Sequence, residues 1–403
     1  MMHHEPEQAP PGAAAAPPAL RLYQILVLVL LWNSGYKGAR VVSTLYVLEL
    51  GARPFDTGLL LSTYGLFPLL LAVYVGRVSD RYGVRAPVLG GVIMSAFGVV
   101  LPYFWPTYAG LFAGAALSST GFIFVQVGMQ SLTGSLATGH QRTKNINSYA
   151  LTVAVADLVG PVLAGLLIDQ TGHVRTYLLL ALFNVASVIG LVMILSRLPN
   201  VRQAGDVVRR RMMDLFHDPD LRRIMLASAV VMTGLDLFQL YMPLYGHSVG
   251  LSASTIGMTL GAFAAASFVT RALIPLLVKR YTEHTIMMYS LFLAAAAIVL
   301  IPFFTNGIVL CVVCFVLGLG MGLGQPLAVI LTYNFSPPGR AGEALGLRIA
   351  INNSMHVAAP TIFGAVGSLV GLAPVFWVTA AFLVVGARYS APRKAGGRAH
   401  PAA

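Results

Sequence analysis

Seven ionisable side chains stand inside long apolar runs: Lys37, Arg40, Asp157, Asp236, Arg271, Arg348 and His356. At the centre of a membrane helix such a charge costs about 2.5–3.5 kcal/mol. Side chains kept at that cost face water, a solute or one another, and these types suit proton exchange and anion pairing. Their spacing is helical. Asn33, Lys37, Arg40 and Thr44 follow i, i+4, i+7, i+11, while Arg348, Asn352 and His356 follow i, i+4, i+8. Each set therefore makes one stripe along a helix. Gln126 and Gln325 add hydrogen-bonding groups at matched positions.

Matched is meant literally. Shifted by 199 residues, the chain lies over itself: Gly58 meets Gly257, Gly121 meets Gly320, Gln126 meets Gln325, Pro161 meets Pro360 and Gly165 meets Gly364. The same shift puts Asp236 on Lys37, Gln239 on Arg40 and His356 on Asp157. A duplicated half in a membrane protein marks a transporter whose site lies between the copies. Lys37 and Asp236 are expected to form a switchable pair across the halves, with Asp157 and His356 as proton carriers. A permanent salt bridge, a carboxylate capping backbone freed by Pro161, and an ordinary helix histidine satisfy the same residues. Arg40, Arg271 and Arg348 favour an anionic or zwitterionic solute. Trp32, Tyr36, Phe238 and Tyr241 suit an amphiphilic one equally well.

The elements that must hold these residues follow from composition. Hydrophobic residues make up 57% of the chain and charged residues 10%, against about 25% charged in soluble proteins. Apolar runs of about 20 residues fall near 22–50, 57–76, 86–105, 107–133, 145–168 and 175–196. The second copy gives 222–246, 253–278, 285–304, 307–333, 344–370 and 372–388. Unpaired backbone is not tolerated in hydrocarbon, so the runs are helices. The expected fold is an all-α membrane protein of twelve transmembrane helices in two pseudo-symmetric six-helix bundles, residues 21–196 and 222–388. A tail (1–20), a central loop (197–221) and a second tail (389–403) complete it.

The net charge of +12 is a matter of topology. Of 26 Lys and Arg, 20 fall in the tails and the loops on one side of the expected bundle. That places both termini and the central loop in the cytoplasm by the positive-inside rule, with the protein multi-pass in the cytoplasmic (inner) membrane. Nucleic acid is not an expected partner. Residues 1–20 read as a disordered tail and not a cleaved signal. Cys311 and Cys314 read as small residues on one helical face. The central loop, with Arg209, Arg210 and Arg211 beside Met212, Met213, Leu215 and Phe216, suits a short amphipathic helix at the headgroups or a solvated linker.

Between the second and third runs stands Gly76-Arg77-Val78-Ser79-Asp80-Arg81-Tyr82-Gly83-Val84-Arg85. It resembles the G-x-x-x-D-R-x-G-x-R loop of the major facilitator superfamily, in its expected place in a six-plus-six chain. The resemblance implies that Gly76, Asp80, Arg81, Gly83 and Arg85 form a conformational latch between the halves. The second copy has Lys279 where Asp80 stands, so one latch is complete. Residues 156–165 resemble the family's G-x-x-x-G-P-x-x-G-G antiporter motif through Gly160, Pro161 and Gly165, with alanine at 156 and 164. The fourth run lacks the arginine that proton-coupled drug exporters of the family carry there, so coupling through it is excluded.

The expected function is secondary active transport of a small organic solute by alternating access, by proton-coupled export. Uptake by symport, or uniport, is the alternative, and a non-transporting sensor a weaker one. No cofactor or metal is expected, the proton gradient being the energy source. The chain lacks a Gly-rich phosphate loop and an H-E-x-x-H motif, so it is not expected to be an enzyme. It is expected to act as a monomer in the lipid bilayer.

Overall fold

The computed structural model describes residues 18–136, 139–195, 198, 212–337 and 340–391. Twelve α-helices follow one another: α1 (Pro18–Glu49), α2 (Pro54–Tyr82), α3 (Arg85–Phe104), α4 (Tyr108–Ser135), α5 (Gly139–Thr171) and α6 (His173–Leu195), then α7 (Pro219–Ser248), α8 (Ala253–Leu277), α9 (Glu283–Leu300), α10 (Gly307–Phe335), α11 (Ala341–Val370) and α12 (Leu372–Ser390). Eleven are long and apolar enough to cross a membrane. The exception is α11, because Arg348, Asn352, Asn353, Ser354 and His356 dilute its hydropathy. Its backbone is nonetheless a continuous helix of 30 residues. The bundle is that of a multi-pass integral membrane protein.

Each half packs by the same rules. Gly121 of α4 lies against the backbone of Gly91 and Ser95 on α3, and Gly320 of α10 lies against Ser290 and Ala294 on α9. All three pairs are 199 residues apart, so the repeat preserves the helix contact itself. Tyr46 donates to the carbonyl of Pro106 and its mate Tyr245 to those of Pro302 and Phe304. Several buried polar groups find partners within the first half. Trp32 Nε1 donates to Ser95 Oγ at 3.1 Å, and Ser43 links the hydroxyls of Tyr64 and Tyr177 at 3.0 and 2.8 Å.

The halves meet chiefly through α5 on α8 and α2 on α11. Both contacts run along the end of the bundle remote from the central loop, here the far end. Asp169, near the end of α5, accepts from the amides of Ala253 and Ser254 at 3.0 and 2.8 Å, capping α8 across the boundary. Its repeat mate Ser368 accepts from the amide of Phe55 at 2.9 Å, doing the same for α2. Among the described residues, α4 and α5 do not pack closely on α10 and α11 at the opposite, loop end. The conformation is closed at the far end.

Asp169→Ala removes both caps, which costs about 1 kcal/mol, a roughly fivefold change in an opening equilibrium. With Cys311 and Cys314 replaced by serine, a cysteine substituted for Ser254 should react with maleimide about fivefold faster in this background. An unchanged rate would show that the cap does not hold the far end.

Residues 199–211 of the central loop, including the arginine run, lie outside the described residues. Beyond them Met212–His217 forms a 3₁₀ turn. Leu215 is buried there against Leu221, Met225 and Ala344 of the second half. The described part of the loop thus docks on protein.

Candidate functional site

At mid-height between the halves lies a cavity of about 150 Å³. Lys37, Arg40 and Thr44 enter it from α1, Asp157 and Pro161 from α5, Gln239 and Phe238 from α7, Arg271 and Phe263 from α8, and Gln325 from α10. Helical spacing on α1 aligns the first three. On α5 and α7 the polar residue sits within a turn of a proline or an aromatic that faces the same space.

Lys37 Nζ lies 2.8 Å from Asp157 Oδ1, and these side chains are 23% and 33% exposed. His356 Nδ1 lies 2.8 Å from Asp236 Oδ1, and Asp236 is 1% exposed. The expected Lys37–Asp236 pair therefore does not form. The reason is packing within a half: Gly160 presses against Lys37 Cβ and Gly38, which sets α1 on α5 with Lys37 opposite Asp157. The packing of α7 on α11 does the same for Asp236 and His356. Subtracting 199 from Asp236 and His356 gives Lys37 and Asp157. The repeat has kept one ion pair in each half and reversed its polarity, cation on α1 and anion on α7.

The two pairs differ in setting. Asp157 is on the cavity wall. Asp236 is behind it, with Oδ2 buried and without a hydrogen-bond partner.

A second polar group backs the wall. Arg348, 6% exposed, donates through Nη1 to Gln325 Oε1 at 3.0 Å and Ser228 Oγ at 3.1 Å. Asn352 Nδ2 donates to the same two acceptors at 3.2 and 3.1 Å. Gln325 is thereby fixed on the wall. Its mate Gln126 is exposed and off the wall. The first half has Val29, Tyr149 and Val153 at the places of Ser228, Arg348 and Asn352, so the guanidinium and amide donors that fix Gln325 have no counterpart for Gln126. Asn33 also departs from the expected stripe, being 3% exposed inside the first half and absent from the wall. Sequence reasoning missed Ser228, which carries no repeat signal, and Tyr64, whose ring lies 6.0 Å from the Arg40 guanidinium carbon. Tyr64 had a signal: its mate is the wall residue Phe263.

The antiporter-like residues make interfaces. Gly257 of α8 lies on the carbonyl of Pro161 and Gly165 on that of Ala253; by the repeat, Gly58 lies on Pro360 and Gly364 on Pro54. Gly83 takes φ +80 where α2 turns into α3, a conformation that favours glycine. Arg85 donates to the carbonyl of Leu198, anchoring the start of α3 to the end of the first half. The side chains of Gly76, Asp80 and Arg81 lie outside the described residues. Among the described residues, no cluster of His, Cys, Asp and Glu has metal-binding form.

Comparison with known proteins bears on this arrangement. The sequence model of the Major Facilitator Superfamily matches residues 26–360 and 224–401. Similar curated proteins include the quinolone resistance protein NorA of Staphylococcus aureus (strain COL), 20% identical over 83% of this chain and 87% of its own. Another is the class G tetracycline resistance protein of Vibrio anguillarum, 24% identical over 80% and 83%. Among solved structures, a peptide transporter POT in complex with sulfate superposes with TM-score 0.76 at 13% identity, covering 92% of this chain and 93% of that one. The nucleoside transporter NupG gives 0.74 at 14%, covering 92% and 98%. The structural likenesses concern the fold.

Proposed function

Because the chain belongs to the major facilitator superfamily, we propose that it exports a small organic solute in exchange for protons by alternating access. It is a secondary transporter and not an enzyme, as family and fold agree. The export direction draws support from the resistance proteins it resembles. The observation that carries the mechanism is the pair of mirrored ion pairs beside one cavity closed at the far end. In this reading the loop end faces the cytoplasm, where most basic residues cluster, and the protein works as a monomer in the cytoplasmic membrane. A proton taken up by Asp157 releases Lys37 and loosens α1 from α5, one of the contacts that must change as the halves rock.

A specific observation favours a second reading, uptake by symport. The cavity wall carries more cations than carboxylates, so a proton on Asp157 makes it more positive and assists an anion to bind beside it. One assay separates the two. Proteoliposomes are loaded with a fluorescent quinolone or a tetracycline, and a pH gradient is imposed in either direction. Exchange predicts solute flux against the proton flow, symport predicts flux along it, and flux indifferent to the gradient contradicts both.

A further inference from the structure

The charges on the cavity wall do not balance. Lys37, Arg40 and Arg271 face Asp157 alone, and Lys37 already neutralises that carboxylate at 2.8 Å. Asp236 is behind the wall with His356 as its partner. Among the described residues, two guanidinium groups are left without a carboxylate, and Nε of Arg271 is buried without a hydrogen-bond partner. Arg348, also without a carboxylate among the described residues, adds a further positive charge behind Gln325. Cations without a counter-charge on the wall of a mid-membrane cavity favour an anion that enters it.

Their placement gives the anion a shape. Counting 1.5 Å per residue, Arg40 lies about 14 Å short of the far end of α1, and Arg271 about 27 Å from that end of α8. Arg40 is therefore at the blind end of the cavity and Arg271 nearer the loop end. The ring of Tyr64 lies against the Arg40 guanidinium and is itself tethered through its hydroxyl to Ser43. A cation stacked on a ring keeps its edge N–H groups free for a forked acceptor. Gln239, the repeat mate of Arg40, offers an amide on the same wall. Between the two arginines the wall is apolar, with Phe238 and Phe263 stacked at 4.5 Å beside Leu260 and Met321.

We propose that the transported solute is an amphiphilic organic anion, its carboxylate or similar head held by Arg40 and Gln239 and its apolar body laid along Phe263 and Leu260, which the fully buried Phe238 backs. Arg271, nearer the loop end, draws the anion in. This rests on reading the cavity as the transport site, but not on the direction of transport. It excludes a lone organic cation as the preferred solute, because no wall carboxylate is free to receive one.

The test uses three fluorescent probes with one body: dansylglycine (anionic), dansylglycinamide (neutral) and dansylcadaverine (cationic). Binding to the full chain in nanodiscs is read by anisotropy. The carboxylate should bind at least about tenfold tighter than either other probe, the scale of a charge-assisted fork. Arg40→Gln should remove that preference while leaving the amide within about threefold, and Arg40→Lys, which keeps charge but loses the fork, should fall between. Equal or tighter binding of the amide or the amine, no binding of the carboxylate, or an unchanged preference in Arg40→Gln overturns the proposal. Gradient-driven flux of a neutral or cationic solute would then leave the transport reading standing. Absence of any driven flux would remove that reading, while the probe preference still reports the charge of the cavity.

Discussion

Gly257→Leu is expected to cut transport about a hundredfold while the protein still folds. A Cβ at this position would sit 2.5 Å from the carbonyl oxygen of Pro161. That neighbour is backbone of α5 and cannot turn aside, so the contact can be relieved only by parting α8 from α5. Overpacking of this kind costs about 1–3 kcal/mol, and an end state destabilised by about 3 kcal/mol loses over a hundredfold in population. The far end would be held open and the cycle arrested. Gly90→Leu is the matched control, since nothing lies within 4 Å of its Cβ position. Flux in proteoliposomes, with size-exclusion profiles to report folding, checks both. Normal flux in Gly257→Leu would mean that closure of α5 on α8 is no part of the cycle.

Asp157→Asn and Lys37→Met should each lower flux by at least tenfold, and a charge swap should recover part of it. Removing one partner strands the other at mid-membrane. For a fully buried pair that costs about 3–5 kcal/mol. Here a quarter to a third of each side chain is exposed, so about 1–3 kcal/mol is the reasonable scale. Lys37→Asp combined with Asp157→Lys restores opposite charges in the same place and should raise thermal stability and flux above either single variant. Lys37→Asp combined with Asp236→Lys should rescue nothing, because those two side chains serve different pairs. Rescue by the second combination and not the first would reverse the pairing described above.

That pairing also marks the limit of what the sequence discloses. The 199-residue offset makes the fold legible, since Gly121 and Gly320, or Tyr46 and Tyr245, repeat the same contact in each half. An offset identifies equivalent positions, however, and equivalents related by a pseudo-twofold need not touch. Lys37 and Asp236 are equivalents; their partners stand on helices that pack on them within a half, a fact held in Gly38 against Gly160 rather than in any charge pattern. Gln126 shows the converse failure. Its position repeats, but Tyr149 and Val153 stand where the Arg348 and Asn352 donors would be, so the wall is asymmetric. Ser228 could not be found because its mate is Val29. The helix count of α11 came from length and repetition where hydropathy alone falls short, since the polar residues that dilute it are those of the Arg348 network and the Asp236 pair.

The claim on which all this turns is that the two halves rock about the charged cavity, one end closing as the other opens. Spin labels answer it, with Cys311 and Cys314 replaced and cysteines substituted for Arg53 and Ser248 at the far end, or Ser135 and Asn334 at the loop end. Distances measured by pulsed dipolar spectroscopy at pH 5 and pH 8, and in the Gly257→Leu background, should move in opposite senses at the two ends. A far-end distance that lengthens with no shortening at the loop end, or two distances that never change, would contradict the account.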